Sequence, residues 1–238
     1  PEIPGIDVGL LYRPASWVSG DMYDVFRIDE QHAGLFVADA MGHGVAAGLL
    51  TMFLRQALVP KRTRGSTYHI VSPTEALVEL HRCLVKQKLP NCQFVTAVYA
   101  VVNSRTREVR LARGGHPYPL HIRTESGGIE QVRVSGGLLG LPDIEPQFEE
   151  ARLTLAPGDK LVLFTDGLEE DLLVGRDGGG GEPQFTDTLR QWAKLPAGQF
   201  GDAVGKHLDC KAGSLNPPDD VTLVVLEAWR NGAASGDG

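Results

Sequence analysis

The sequence predicts a mixed α+β chain built around a layered core, and three observations carry that expectation. Apolar segments of strand length recur and are joined by tight turns, as between residues 94–102 and 108–112. Other stretches, at 45–57 and 73–84, repeat their apolar residues at helical spacing. A hydrophobic content of 42% over 238 residues is enough to bury a sizeable core, as one large domain or two closely joined layers.

Bulk composition removes several classes of function. Lys+Arg 23 against Asp+Glu 30 gives a formal charge of -7, and no basic run exceeds Lys61-Arg62-Thr63-Arg64, which argues against a nucleic-acid partner. Cys83, Cys92 and Cys210 are odd in number and lack metal-ligand spacing, so neither a disulfide framework nor a zinc site is indicated and a reducing cytoplasm is expected. No apolar run approaches the roughly 20 residues of a membrane span, and no signal pattern opens the chain. A start at Pro1 suggests processing or an excised domain.

Taken in order, residues 6–26 alternate as strands: Ile6, Val8, Leu10 and Tyr12 interleave with Asp7, Gly9, Leu11 and Arg13, and a second run follows Trp17-Val18. Ser19-Gly20-Asp21-Met22-Tyr23-Asp24 sets two carboxylates three apart. On a regular strand they face opposite ways, so joint service in one site requires a bend, which Gly20 permits; the alternative is a surface turn with two solvated acids. Residues 34–50 then run from an apolar strand into Asp39, through Gly42 and Gly44, and on into a helix with Val45, Leu49, Leu50, Phe53, Leu54 and Ala57 as its apolar stripe. Such a corner presents a carboxylate to a cleft, and the helix start adds a positive end that suits an anion; the plainer reading makes Asp39 a helix cap.

Residues 59–68 read as a polar, basic loop. Ser72-Pro73-Thr74-Glu75 marks the next helix start, with Ser72 as cap, Pro73 in the first turn and Glu75 reaching back; His81 and Cys83 belong to its surface and packing. The continuous apolar run 94–102 is a strand covered on both faces, paired with 108–112, which alternates and exposes one face. In the following Gly114-Gly115-His116-Pro117, His116 is either a catalytic or positioning group or the residue that holds the loop. Beyond 148 the alternation resumes, turns at Pro157-Gly158-Asp159 and returns as a strand that delivers Thr165-Asp166-Gly167, the device already met at Asp39. A glycine-rich loop at 176–181, helical stretches near 188–195 and 203–208, and a last strand at 221–226 preceded by Asp219-Asp220 complete the pattern. The composition beyond about residue 230 is that of a disordered tail.

The acids Asp21 or Asp24, Asp39, Asp166, and Asp219 or Asp220 each stand at a strand end or turn beside Gly or Pro. If they converge, their repulsion calls for cations, and all-oxygen ligation points to Mg²⁺ or Mn²⁺. Two such ions, roughly 3.5 to 4 Å apart, acidify a shared water and neutralise a phosphoryl group in line with it, which is phosphate-ester hydrolysis.

The same residues carry a family resemblance. Ser19-Gly20-Asp21-Met22-Tyr23-Asp24, Val37-Ala38-Asp39-Ala40-Met41-Gly42-His43-Gly44, Gly114-Gly115-His116-Pro117, Phe164-Thr165-Asp166-Gly167-Leu168-Glu169-Glu170 and Asp219-Asp220-Val221-Thr222 resemble, in order, the motifs of metal-dependent protein phosphatases. The likeness is to the bacterial SpoIIE/RsbU-like branch of the PP2C superfamily, and several motifs in order are far more specific than one. It implies an α-β-β-α sandwich of two antiparallel sheets flanked by helices, spanning residues 1–229 ahead of a tail at 230–238. It further implies a binuclear Mn²⁺ or Mg²⁺ site, with a third ion left open, and phosphoserine or phosphothreonine on a protein as substrate.

Carried over by position, Asp39, Asp21 and Asp166 are the catalytic acids. Asp39 bridges the ions, the Ala40 carbonyl is a further ligand, and Asp21, Asp166 and Asp219 complete the site, with Asp24 and Asp220 as near alternatives or ligands through water. Eukaryotic relatives place a histidine where this chain has Met41, so His43 is offset from the general-acid position, and Arg13 is a candidate to steer phosphate. The branch implies a phosphorylated anti-anti-sigma (STAS-type) substrate, control by an upstream sensor domain, a role in stress and sigma-factor signalling, and a variable flap over 171–218. Two rival readings share the pattern: a pseudophosphatase that binds a phosphoprotein without turnover, and a metal-dependent phosphodiesterase acting on nucleotides.

Overall fold

The computed structural model of the chain describes residues 2–42, 44–88, 93–174, 184–211 and 219–229. His43, Cys92, the glycine-rich stretch 176–181, Pro217, Pro218 and the tail 230–238 lie outside the described residues.

The elements run β1 (Ile6–Arg13), β2 (Asp21–Arg27), β3 (His32–Ala40), α1 (Val45–Ala57), β4 (Lys61–Arg64), β5 (Thr67–Ile70), α2 (Pro73–Lys86), β6 (Val95–Asn103) and β7 (Glu108–Gly114). They continue through β8 (Leu120–Arg123), β9 (Gly128–Gln131), β10 (Ala151–Thr154), β11 (Lys160–Phe164), α3 (Glu169–Leu172), β12 (Leu173–Val174), β13 (Gln184–Phe185), α4 (Asp187–Trp192), α5 (Ala197–Cys210) and β14 (Val221–Ala228). Two five-stranded sheets result, ordered β10-β7-β6-β3-β2 and β1-β14-β11-β8-β9, with antiparallel pairing between their strands.

Alternation of side chains sends one face of each sheet inward. Leu35, Val37, Val98, Ala100 and Leu111 of the first sheet meet Leu161, Leu163, Val224 and Leu226 of the second. The outer face of the first sheet, with Phe36, Ala38 and Tyr99, packs on Leu50 and Leu54 of α1 and Leu77, Leu80 and Leu84 of α2. The outer face of the second, with Phe164, Leu223 and Val225, packs on Leu189 and Trp192 of α4 and Phe200 and Val204 of α5. This is the α-β-β-α sandwich that the family resemblance implies.

Local signals explain the boundaries. The Ser72 side chain accepts from the Glu75 N–H at 3.2 Å and Pro73 opens α2, as the sequence expects. Three expectations change. Residues 61–70 form the hairpin β4–β5 rather than a loop; its side chains are largely exposed, so burial leaves no apolar signature in it. In α1 only Ala47, Leu50 and Leu54 are buried, while Val45 and Leu49 are 68% and 62% exposed, because the helix meets the sheet along a narrower stripe than its apolar content allows. Within 171–218, α5 lies against β1 and β14 as part of the core, so that segment is not wholly a flap.

Candidate active site

Register brings the carboxylates to one end of the sandwich. Asp21 on β2 is the direct cross-strand partner of Asp39 on β3, and Asp39 is in turn opposite Thr96 on β6. All three share the inward parity of Val25, Val37 and Val98, so they face the second sheet. At the same end β11 finishes at Phe164 and runs through Thr165 into Asp166, while Asp219-Asp220 leads into β14. Asp39 and Asp166, from opposite sheets, line one cleft of about 310 Å³ together with Thr96, Arg113, His116, Tyr118 and Glu169.

Asp21 is 3% exposed, and its Oδ2 accepts from the hydroxyls of Thr165 (2.6 Å) and Thr222 (2.7 Å), both on the opposite sheet side. Burial pushes its carboxyl up to about 7, against the lowering effect of the two hydroxyls; the charges of Asp39 and Asp220 raise it further. Asp39 is pushed up to about 6, first by burial and then by Asp166, Asp219 and Asp220. These carboxylates therefore feel one another, which is what a cation between them would relieve.

Asp219 and Asp220 differ in role. Asp220 accepts from the Ala15 N–H at 2.6 Å and the Gly20 N–H at 2.9 Å, one bond to each carboxylate oxygen, and so ties the β1–β2 turn to the start of β14. Asp219 is exposed and accepts from the Asp220 N–H at 2.8 Å through Oδ1. Two glycines make the close approach possible. A Cβ on Gly20 would stand 2.8 Å from the Ala40 carbonyl oxygen, and one on Gly167 would collide with the Asp220 carbonyl. Ala40 itself is buried, and its N–H donates to the Gly20 carbonyl at 2.9 Å.

Asp24 is not brought to this cluster. β2 is paired to β3 residue for residue from Asp21 to Arg27, without the bend that a shared site requires, so Asp24 faces α1, where Arg55 Nε donates to it at 3.1 Å. Arg13 points to Asp209 of α5, which its guanidinium contacts. His116 is buried and held with Nδ1 2.9 Å from Thr96 Oγ1; burial, then the Arg113 charge, pulls it down to about 3, so it is neutral and holds the loop. Sequence reasoning missed the Thr165 and Thr222 hydroxyls, which read there as ordinary strand residues, and Arg113, which lies just past the strand read as 108–112 and continues the inward parity of Val109 and Leu111.

Among the described residues, no three His, Cys, Asp or Glu side chains converge tightly enough to enclose an ion unaided. The donors are oxygens grouped around Asp39, a set that fits hard divalent cations retaining several water ligands, as Mg²⁺ does, rather than a closed protein cage.

The profile of the family described as Stage II sporulation protein E (SpoIIE) matches residues 29–229, a span that includes Asp39, Asp166, Asp219 and Asp220. Phosphoserine phosphatase RsbP of Bacillus subtilis (strain 168) is 28% identical over 167 residues, 68% of this chain; the chain spans only 40% of that relative's length. The SiaA-PP2C domain of Pseudomonas aeruginosa superposes with a TM-score of 0.70 at 23% identity, covering 92% of this chain and 85% of that one. RsbX, solved in complex with magnesium, gives a TM-score of 0.60 at 18% identity, covering 93% and 94% of the two chains. With sandwich, sequence profile and relatives in agreement, the chain belongs to the SpoIIE family, in the SpoIIE/RsbU-like branch of the PP2C superfamily.

Proposed function

We propose that the chain is a metal-dependent protein serine/threonine phosphatase, with residues 1–229 as its catalytic domain. The observation that carries this reading is the meeting of Asp39 and Asp166, delivered by opposite sheets, in a single cleft. Asp39, Asp21, Asp166, Asp219 and the Ala40 carbonyl would hold two Mg²⁺ or Mn²⁺ ions. When bound, those ions supply an acidified water and neutralise phosphoryl charge.

The chain's own residues do the rest. Thr165 and Thr222 fix Asp21 through Oδ2 and leave Oδ1 without a partner among the described residues. Asp220 keeps the Gly20 turn against β14, so Asp219 rather than Asp220 is the ligand in this reading. Neutral His116 stays on Thr96, so the leaving group takes its proton from water in the open cleft.

The physiological substrate is, in the same reading, a phosphorylated regulatory protein of the anti-anti-sigma, STAS type, met in the cytoplasm under the control of an upstream sensor domain. Support comes from family membership and from RsbP, itself a phosphoserine phosphatase. The test is manganese-dependent release of phosphate from p-nitrophenyl phosphate and from phosphoserine peptides. Turnover should vanish in Asp39→Asn, whereas activity that persists in excess chelator refutes the reading. Metal and phosphopeptide binding without turnover would instead identify a pseudophosphatase.

A further inference from the structure

We propose that Arg113 is the phosphoryl-binding cation of this cleft, a role that deepens the phosphatase reading and rests on it. Arg113 is near the end of β7, directly opposite Val98 on β6 and so two residues from Thr96 on that strand's inward face. It thereby joins the inward row that carries Asp21 and Asp39, and it lines the same cleft as Asp39 and Asp166.

Its guanidinium is fixed before any ligand arrives. Nε donates to the Val134 carbonyl at 3.2 Å, Nη1 donates to the His116 carbonyl, and the group stacks 4.1 Å from the centre of the Tyr118 ring. Nη2 has no partner among the described residues, and no carboxylate there lies within ion-pair distance of Arg113. Arg13, by contrast, is paired with Asp209, and Arg110, three residues earlier on β7 and on its other face, is paired with Glu150.

Two of the three nitrogens are engaged, on the Val134 and His116 carbonyls. The third is left over for a ligand, and the group as a whole lines a cleft in which Asp39, Asp166 and Glu169 supply carboxylates and Arg113 is the permanent cation. A phosphate dianion is the ligand that matches: a planar, permanently charged donor suits its oxygens, and prior stacking on Tyr118 removes most of the ordering cost. The cations held by the carboxylates and Arg113 would then address different oxygens of one phosphoryl group.

The test pairs calorimetric titration of inorganic phosphate into the magnesium-loaded chain with the kinetics of p-nitrophenyl phosphate hydrolysis. Arg113→Ala should weaken phosphate binding by about tenfold or more, the scale of a charged hydrogen bond. KM should rise by a similar factor with kcat little changed, and Arg113→Lys should recover part of the loss. Should Arg113→Ala fail to fold, Arg113→Gln removes the charge while keeping an amide within reach of the two carbonyls, and the same loss is expected. Wild-type phosphate affinity in a folded Ala or Gln variant, or a wild type that binds no phosphate, overturns the assignment. A wild type that binds phosphate through Arg113 yet hydrolyses nothing sinks the phosphatase reading alone.

Discussion

Asp39→Asn separates what the site needs for chemistry from what the fold needs for stability. In the folded chain the Asp39 carboxyl is raised from an ordinary 3.8 to about 6 by burial and by Asp166, Asp219 and Asp220. A raised value means that its contribution is complete below about pH 4 and is lost as the pH climbs through 6. Without divalent ions at pH 8, the ionised side chain therefore costs up to about 3 kcal/mol, at 1.36 kcal/mol per unit. Asparagine has the same shape and no charge, so the variant should be more stable than wild type by up to that amount in chelator. For a chain of this size the gain corresponds to a melting point higher by roughly 6 to 12 °C. At pH 4 the two proteins should melt together. Adding manganese at pH 8 should reverse the order, because binding to the folded state stabilises only the protein that retains its ligand. Differential scanning calorimetry at the two pH values, with and without metal, reads all four conditions. An Asn variant that melts at or below wild type in chelator at pH 8 refutes the claim that crowded carboxylates strain this site.

Other perturbations sharpen the picture. Metal-free wild type should lose stability with rising pH. Between pH 4 and 6 the folded chain holds protons on Asp21 and Asp39 that the unfolded chain has released, while buried His116, depressed to about 3, lacks one that the unfolded chain carries. Burial lowers His81 as well, so the net is at most one extra proton in the folded state, a loss of up to about 1.4 kcal/mol per pH unit; a flat or rising profile from urea titrations would contradict it. Asp21→Asn should abolish manganese-dependent hydrolysis while Asp24→Asn leaves it near wild type, since Asp24 makes only an exposed pair with Arg55; equal losses would put both acids in the site. Gly167→Ala should cost about 1 to 3 kcal/mol in denaturant unfolding, because the new methyl meets the Asp220 carbonyl; an unchanged midpoint would show that the turn yields freely.

The strand ends at Asp39 and Asp166 were readable because an apolar run that stops at an acid and a glycine turn leaves a local mark. Choosing between Asp21 and Asp24 was not possible from spacing alone, since the choice depends on whether β2 keeps its register against β3. The split between Asp219 and Asp220 depends on which oxygens meet the N–H groups of Ala15 and Gly20, partners some two hundred residues away in the chain. β4 and β5 escaped notice because their largely exposed side chains carry no buried stripe. Arg113 escaped because the strand reads only as far as Ala112, whereas one residue further the inner face of Val109 and Leu111 reaches the mouth of the sandwich, where that face is wet.

The pair of hydroxyls that Thr165 and Thr222 extend to Asp21 makes the proposed reaction chamber double as a rivet between the two halves of the protein. Any slippage of one half over the other must tear that rivet first, so heat or denaturant should silence the chain before it unravels. A change that shifts one half by even a single residue would carry the Asp21 carboxyl away from both hydroxyls.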